Sequence, residues 1–255
     1  MPVALIAAGG ALLGAIIGSF VATLIIRWPA GKSVASGRSC CDHCGAPIAI
    51  ADLVPLVSFA MLRGRSRCCG QSINARHVWT EVACALIGGI ALAIAPGWEG
   101  IAGALFGWIL LALAVLDADH FWLPDALTLP LGVVGLAIGA LGIDVPLIDR
   151  VIGAVAGYGV LQLVRLGYRF TRKQEGMGGG DPKLLGAIGA WLGWQWLPMV
   201  VLSASVAGLL WLLFKASRGG QVTAADRLPF GGLMAGAAFC AWLLATAFQF
   251  RIETL

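Results

Sequence analysis

Of the 255 residues, 59% are hydrophobic and 12% carry charge, and a mean hydropathy of +0.90 excludes a soluble globular domain. The formal net charge of +4 asks for no nucleic-acid partner, because the placement of the basic residues follows membrane topology. The chain reads as an integral membrane protein, with the lipid bilayer as its first partner.

Uncharged stretches cover residues 3–26, 82–98, 100–116, 126–143, 151–164, 184–214 and 228–250, most of them near the roughly 20 residues of a spanning helix. As one helix the run 184–214 would measure about 46 Å, against a hydrocarbon core of about 30 Å. A break is therefore expected near Trp194-Gln195-Trp196-Leu197-Pro198, where the aromatics suit an interface and the proline a turn. The expected fold class is an all-α polytopic membrane protein with about eight transmembrane helices and a cysteine-bearing cytoplasmic loop between the first two. With the N-terminus outside, residues 27–77, 117–125, 165–183 and 215–227 face the cytoplasm and hold 15 of the 17 Lys and Arg residues. That bias sets the orientation. Arg150 and Arg251 are left outside.

The first segment has no Lys or Arg before Arg27, unlike a cleavable signal peptide, and is expected to remain as a helix. Residues 27–77 form the long polar segment and carry Cys40, Cys41, Cys44, Cys68 and Cys69. Cys41-Asp42-His43-Cys44-Gly45 is a C-x-x-C knuckle, and Cys68-Cys69-Gly70 follows it. Two thiolate pairs brought together suit a tetrahedral zinc or similar thiophilic ion. Free structural thiols and redox chemistry are the alternatives, while disulfides do not suit a reducing compartment. Adjacent cysteines chelate one ion awkwardly, so Cys41, Cys44 and Cys69 lead, with Cys68 a weaker fourth; His43 and His77 are substitute ligands. Between the pairs, Leu53 to Phe59 is too short to span and is expected to pack on the membrane face.

Glu81 is expected to open the second span, with Cys84 as core packing, and Pro96-Gly97-Trp98-Glu99 to turn the chain into the third. That span ends in Asp117-Ala118-Asp119-His120, with Pro124-Asp125 following. Three carboxylates without a Lys or Arg oppose the charge bias of the other cytoplasmic segments. Gly153, Gly157 and Gly159 in the fifth span are expected to allow close helix packing. Arg165 to Lys173 then reads as a basic linker into Glu175-Gly-Met-Gly178-Gly179-Gly180-Asp181-Pro-Lys183-Leu-Leu185, and Cys240 in the last span as packing.

Under this topology Asp117 ends one helix and Asp181 begins another on the same side. Two carboxylates sharing a site do not both ionise easily, so one keeps a proton while the other activates water, which is aspartic protease chemistry. Ordinary pairing with Lys183 or Arg172 is the alternative, as are proton relay and ion binding. No His-Glu-x-x-His or Gly-x-Ser-x-Gly sequence is present, which disfavours metalloprotease and serine hydrolase readings.

In this order the motifs resemble the type IV prepilin peptidases, membrane aspartic proteases with a Gly-x-Gly-Asp signature. The likeness runs through Gly18-Ser19-Phe20 with Arg27-Trp28-Pro29, the Cys41/Cys44 knuckle, Pro55 to Phe59 and Leu62 to Arg65. It continues through Asp117 with Pro124-Asp125, Gly153 to Tyr158, Glu175 to Leu185, Ala190 to Trp194 and Pro229-Phe230-Gly231. The resemblance implies Asp117 and Asp181 as the catalytic pair and Gly178, Gly179, Gly180 and Lys183 as substrate-proximal. It places the family's four cysteines at Cys41, Cys44, Ser66 and Cys69; Ser66 departs from the pattern, Cys68 and Cys40 are extra, and Ala22 stands where the family usually has asparagine. It further implies a first transmembrane helix over 1–26, a cytoplasmic, zinc-binding, methyltransferase-associated segment over 27–77 and a membrane-embedded peptidase domain over 78–255. The implied activity is cleavage after glycine of the basic leader of type IV prepilins or pseudopilins, at the cytoplasmic face of the bacterial inner membrane. N-methylation of the new terminus by S-adenosylmethionine is implied as well. A non-methylating peptidase of another pilin-like system and a proton-coupled transporter are the rival readings.

Overall fold

The computed structural model describes residues 2–34, 40–41, 43–49, 52, 55, 57–143, 145–172, 177–219 and 228–253, with backbone alone at 57, 60 and 250–253. Asp42, Leu53, Val54, Leu56, Lys173, Glu175 and Gly176, all parts of motifs above, lie outside the described residues. Within them the regular structure is helical: α1 Val3–Arg27, α2 Val57–Met61, α3 Ala75–Ile94, α4 Trp98–His120, α5 Asp125–Ala140, α6 Leu147–Arg172, α7 Gly180–Leu192, α8 Leu197–Ser217 and α9 Phe230–Glu253. Apart from the five-residue α2 these are the eight expected helices. Six of them, α1, α3, α4, α6, α8 and α9, are long and apolar enough to cross a membrane. The other two are shorter, with 16 residues in α5 and 13 in α7, so α7 reaches only about 20 Å along its axis.

Contacts divide the chain into two compact units, Met1–Trp108 and Ile109–Leu255. In the first, α1 lies on α3 along a seam of small residues. A β-carbon at Gly14 would stand 2.9 Å from the Ala85 Cα, and one at Gly18 would stand 2.6 Å from the Glu81 Cα. Glycine at these positions lets the two backbones approach, as in other close membrane helix pairs. Ala22, one turn further along, is fully buried. Cys84 is packed in this core as expected, and its carbonyl accepts the Trp108 indole N–H at 2.9 Å. Glu81 does not open the helix. The start is Ala75, where the Asn74 side chain accepts the Arg76 N–H at 3.0 Å and so satisfies one of the free amide groups of the first turn; Glu81 sits two turns further in and is buried.

In the second unit α7 is the core. Its residues Asp181, Pro182 and Leu184 through Leu192 are buried, with α5, α6, α8 and α9 all packed on it. The break in the run 184–214 falls at Gly193 to Trp196, just before the proline-containing start of α8, and Gly193 has φ 78°, a left-handed conformation open to glycine at no steric cost. Gly157 on α6 admits α7: its β-carbon would lie 2.6 Å from the Leu185 carbonyl oxygen. Gly153 faces Gly189 in the same way, whereas Gly159 has nothing within 4 Å and does not take part in the seam. Residues 165–172 are the last two turns of α6 and not a linker; no proline or glycine pair interrupts the helix there.

Arg150 on α6 is 1% exposed. It donates from Nε to the Val145 carbonyl at 3.0 Å, from Nη1 to Gly135 and Ala190 at 3.0 and 3.2 Å, and from Nη2 to Ile143 at 3.1 Å. One guanidinium thus ties the second half of α5 and the end of α7 to the turn between α5 and α6. The Trp191 indole adds a second tie between α7 and α5, donating to the Leu131 carbonyl at 2.7 Å.

Candidate active site and cysteine cluster

Asp117 lies in the last turn of α4 and Asp181 in the first turn of α7. Both are buried, 5% and 7% exposed. What receives them is the start of α9. The first N–H groups of a helix have no partner within it, and here the Gly232 N–H donates to Asp117 Oδ2 at 2.7 Å, with the Gly231 N–H facing the same carboxylate. The Gly178 N–H faces the Asp181 carboxylate. A β-carbon at Gly231 would stand 3.0 Å from Asp181 Oδ1 and 3.1 Å from Asp117 Oδ2, so the two oxygens are separated by no more than the sum of those distances. The carboxylates therefore share one site.

The other residues of the motif surround this pair. Leu123 closes over Gly180 and Gly231, and the Arg165 guanidinium rests on Gly179, its Nη1 3.3 Å from where a β-carbon would be. Lys183 pairs with Asp125, Nζ to Oδ2 2.7 Å, on the partly exposed surface of the unit. Lys183 thus takes Asp125 as its partner in place of Asp117 or Asp181. Asp119 is exposed and lies outside the pair. Pro229-Phe230-Gly231 is one of the motifs of the resemblance, but its contact with Asp117, more than a hundred residues earlier, has no signal in the sequence.

The cysteine segment lies in the first unit and is built as two matching knuckles. In one, the Cys41 N–H donates to the Ala46 carbonyl at 2.8 Å and the Gly45 N–H to the Cys41 carbonyl at 2.9 Å; in the other, Ser66 and Gly70 make the same bonds, with Gln71 and Ser66 as acceptors, both at 2.8 Å. Gly45 and Gly70 have φ 72° and 69°, the conformation such a turn requires. The knuckles bring Cys41, Cys44, Cys68 and Cys69 together, with their sulfurs all within 4.8 Å of one another. Cys41 and Cys69 are 3.8 Å apart and Cys44 and Cys68 3.3 Å. A tetrahedral ion with metal–sulfur bonds of about 2.3 Å sets its ligands about 3.8 Å apart, so the cluster could bind a metal ion.

Ser66 occupies the position in its knuckle that Cys41 holds in the other, and its Oγ lies 3.0 Å from the Cys69 sulfur. Cys68 thus reaches the cluster from within the turn. The N–H groups of Cys44 and His43 lower the Cys41 thiol to about 6, while crowding by the Cys44 and Cys41 sulfurs raises Cys68 to about 12. Four such sulfurs cannot all shed protons without a cation to balance them. Cys40 stays apart, its sulfur accepting from Arg27 Nη2 at 3.4 Å, and His43 and His77 are not among the clustered groups. Cys240, expected as packing, is exposed, in a cavity of about 370 Å³ between α8 and α9.

A family model described as the type IV leader peptidase family matches residues 104–213, and one described as the bacterial peptidase A24 N-terminal domain matches residues 12–95. A prepilin leader peptidase/N-methyltransferase of Klebsiella pneumoniae is 43% identical over 203 residues, covering 77% of this chain and 89% of that protein. The chain belongs to the type IV leader peptidase family. A Burkholderia pseudomallei protein of the same name is 37% identical over 264 residues, covering 93% of this chain and 85% of the relative. One of Aeromonas hydrophila is 48% identical over 172 residues, 67% of this chain but only 59% of its own length; for that relative the match spans about three fifths of the protein. No solved structure matches the chain. The leader peptidase model spans Asp117 and Asp181, and the N-terminal domain model spans both knuckles. Gly231 and Gly232, which supply the amides facing Asp117, lie beyond the former.

Proposed function

We propose that this family member is a membrane aspartic endopeptidase that removes the basic leader of type IV prepilins or pseudopilins after a glycine. The observation that carries the reading is the convergence of two buried carboxylates, from α4 and α7, beside Gly231 at the start of α9, whose first amide groups face Asp117. The relatives' names support a leader peptidase over a proton-coupled transporter. The charge bias of the segments supports an active site at the cytoplasmic face of the inner membrane, with the peptidase chemistry in residues 78–255.

In this reading Asp117, with two N–H donors at the positive end of a helix, carries the charge, and Asp181 carries the proton that the pair shares. Asp117 takes a proton from water as the water oxygen bonds to the scissile carbonyl carbon, while Asp181 donates a hydrogen bond, then its proton, to the carbonyl oxygen. Collapse of the tetrahedral adduct returns a proton to the leaving nitrogen and breaks the C–N bond, giving a leader carboxylate and a new N-terminal amine. Gly178, Gly179 and Gly180 present backbone without side chains beside Asp181, which suits an extended substrate segment, and Lys183, held by Asp125, borders that entrance.

The names of the relatives also support N-methylation of the new amine, for which S-adenosylmethionine would supply the methyl group. We assign residues 27–77 to that second activity. Zinc is the ion that best suits a four-thiolate cluster, and Cys41, Cys44, Cys68 and Cys69 would hold it as a structural element. A non-methylating variant is distinguished by the product alone. Mass spectrometry of a prepilin incubated with membranes containing the protein is expected to show loss of the leader and a methylated N-terminus. Asp117→Asn and Asp181→Asn are each expected to slow cleavage at least about a thousandfold, and cleavage by either variant at the wild-type rate would remove the proposal.

A further inference from the structure

The face of α6 that meets α7 repeats every four residues. Gly153, Gly157 and Leu161 are buried along it, the spacing of one side of a helix. Gly153 packs on Gly189 and Gly157 on Leu185, so each step of four along α6 runs four residues back along α7. The next member of the series is the half-buried Arg165, whose counterpart by the same count falls ahead of Gly180, the first residue of α7. Arg165 therefore meets the loop. The point that a β-carbon would occupy at Gly179 has the guanidinium as its three nearest atoms, Nη1 at 3.3 Å and Cζ and Nη2 both at 3.5 Å. Such near-equal distances lay the group broadside on the backbone.

None of Gly178, Gly179 and Gly180 has positive φ, and Gly179, with φ −70° and ψ −11°, has a conformation open to any residue. Glycine here answers to space, and the space differs at each position. At Gly180 it is taken by Leu123, whose Cβ lies at 2.7 Å, and at Gly179 by Arg165; at Gly178, among the described residues, only Asp181 Oδ2 comes within 4 Å, at 3.7 Å. Gly178 is also the residue whose N–H faces the Asp181 carboxylate. A cation beside the start of α7 opposes the helix dipole, so the dipole does not account for the arginine. Its planar group does fit flat against a bare peptide.

We infer that Arg165 is a positioning residue for Asp181: its guanidinium backs the loop at Gly179 and so keeps the Gly178 N–H on the Asp181 carboxylate. The inference deepens the aspartic peptidase reading and rests on it. Arg165 acts through the backbone of two glycines, so its removal leaves both carboxylates in place but frees the loop that orients one of them. A displacement of about 1 Å at a reacting group lowers the rate by about a hundredfold.

The test measures kcat and KM on prepilin, together with thermal stability, for Arg165→Met, Arg165→Lys, Gly179→Val and Arg165→Met/Gly179→Val. Arg165→Met is expected to fold, to lower kcat at least about thirtyfold and to change KM by less than about threefold, the signature of a loss felt in the reaction and not in binding. Arg165→Lys keeps the charge without the plane and should fall to within about threefold of Arg165→Met. Gly179→Val must push the guanidinium aside and should reproduce the loss. The double variant should then be within about threefold of either single one, because both changes remove the same contact. A kcat for Arg165→Met within about threefold of wild type would overturn the inference. So would a loss that appears in KM, which would make the arginine a substrate contact, or a fully active Arg165→Lys, which would make charge the decisive property. Losses that multiply in the double variant would overturn it as well, as would an Arg165→Met protein that does not fold, since the arginine would then serve stability. None of these outcomes bears on the aspartic peptidase reading, which falls only if Asp117→Asn or Asp181→Asn still cleaves.

Discussion

Replacing Arg150 by methionine removes four charge-assisted donors from the core of the second unit while nearly preserving side-chain length. Each such bond contributes about 1.5–3 kcal/mol. Gly135 lies within α5, where its carbonyl has a helical partner, but Ile143 and Val145 lie in the turn and Ala190 in the last turn of α7, where carbonyls lack partners within the helix. Three acceptors therefore lose an important donor. Methionine recovers part of the loss by relieving the burial of a charge, and the expected net destabilisation is about 3–5 kcal/mol. In a chain of this size that corresponds to a fall in Tm of about 10 °C, measurable by intrinsic tryptophan fluorescence in detergent or nanodiscs. Arg150→Lys should recover less than half of the loss, because one ammonium cannot reach acceptors placed for a planar fork. Asp181 is at the opposite end of α7, so the cleavage rate per folded molecule should fall by less than about threefold, an effect confined to packing. Melting of Arg150→Met within about 2 °C of wild type would refute the clamp.

Two further outcomes concern the cysteines. Metal analysis of purified Cys68→Ser protein should show a markedly lower zinc content than wild type, whereas Cys40→Ser should not; equal content in Cys68→Ser would mean that Ser66 or water completes the set. In the metal-free protein the Cys41 thiol sits near 6, below its ordinary value of 9, so its thiolate stabilises the folded loop fully above about pH 9. That contribution is lost as the pH falls through about 6. Alkylation of Cys41, followed by mass spectrometry, should accordingly reach half its plateau near pH 6, and a midpoint above pH 8 would contradict the amide contacts from Cys44 and His43.

Apolar run lengths in the sequence were enough to foresee the eight main helices and the break between Leu192 and Leu197, because both depend on local composition and on the bilayer's thickness. Asp117 and Asp181 could be paired because each stands at the polar end of an apolar run, and topology puts those ends on one side. The amides of Gly231 and Gly232 could not be found in this way, since no local signal joins them to an aspartate more than a hundred residues earlier. The clamp at Arg150 is hidden for a related reason, since its acceptors are backbone carbonyls, which every sequence possesses and none displays. The failure at Gly159 and the success at Gly153 and Gly157 differ only by which face of α6 meets α7, and the seam on the opposite partner is set by Gly186 and Gly189.

Helices bordered by lipid on one side can exchange leucine, isoleucine, valine and phenylalanine freely there, since acyl chains conform to whatever shape is offered. α7 has no such side. Its buried residues from Leu184 to Leu192 answer to neighbouring helices at every azimuth, and at Gly189 those neighbours are backbone atoms. Over evolutionary time this segment should therefore drift least in volume and be nearly indifferent to hydropathy. In a saturation library, depletion along α7 would rank substitutions by size before polarity, the reverse of the order expected on the outward face of α8.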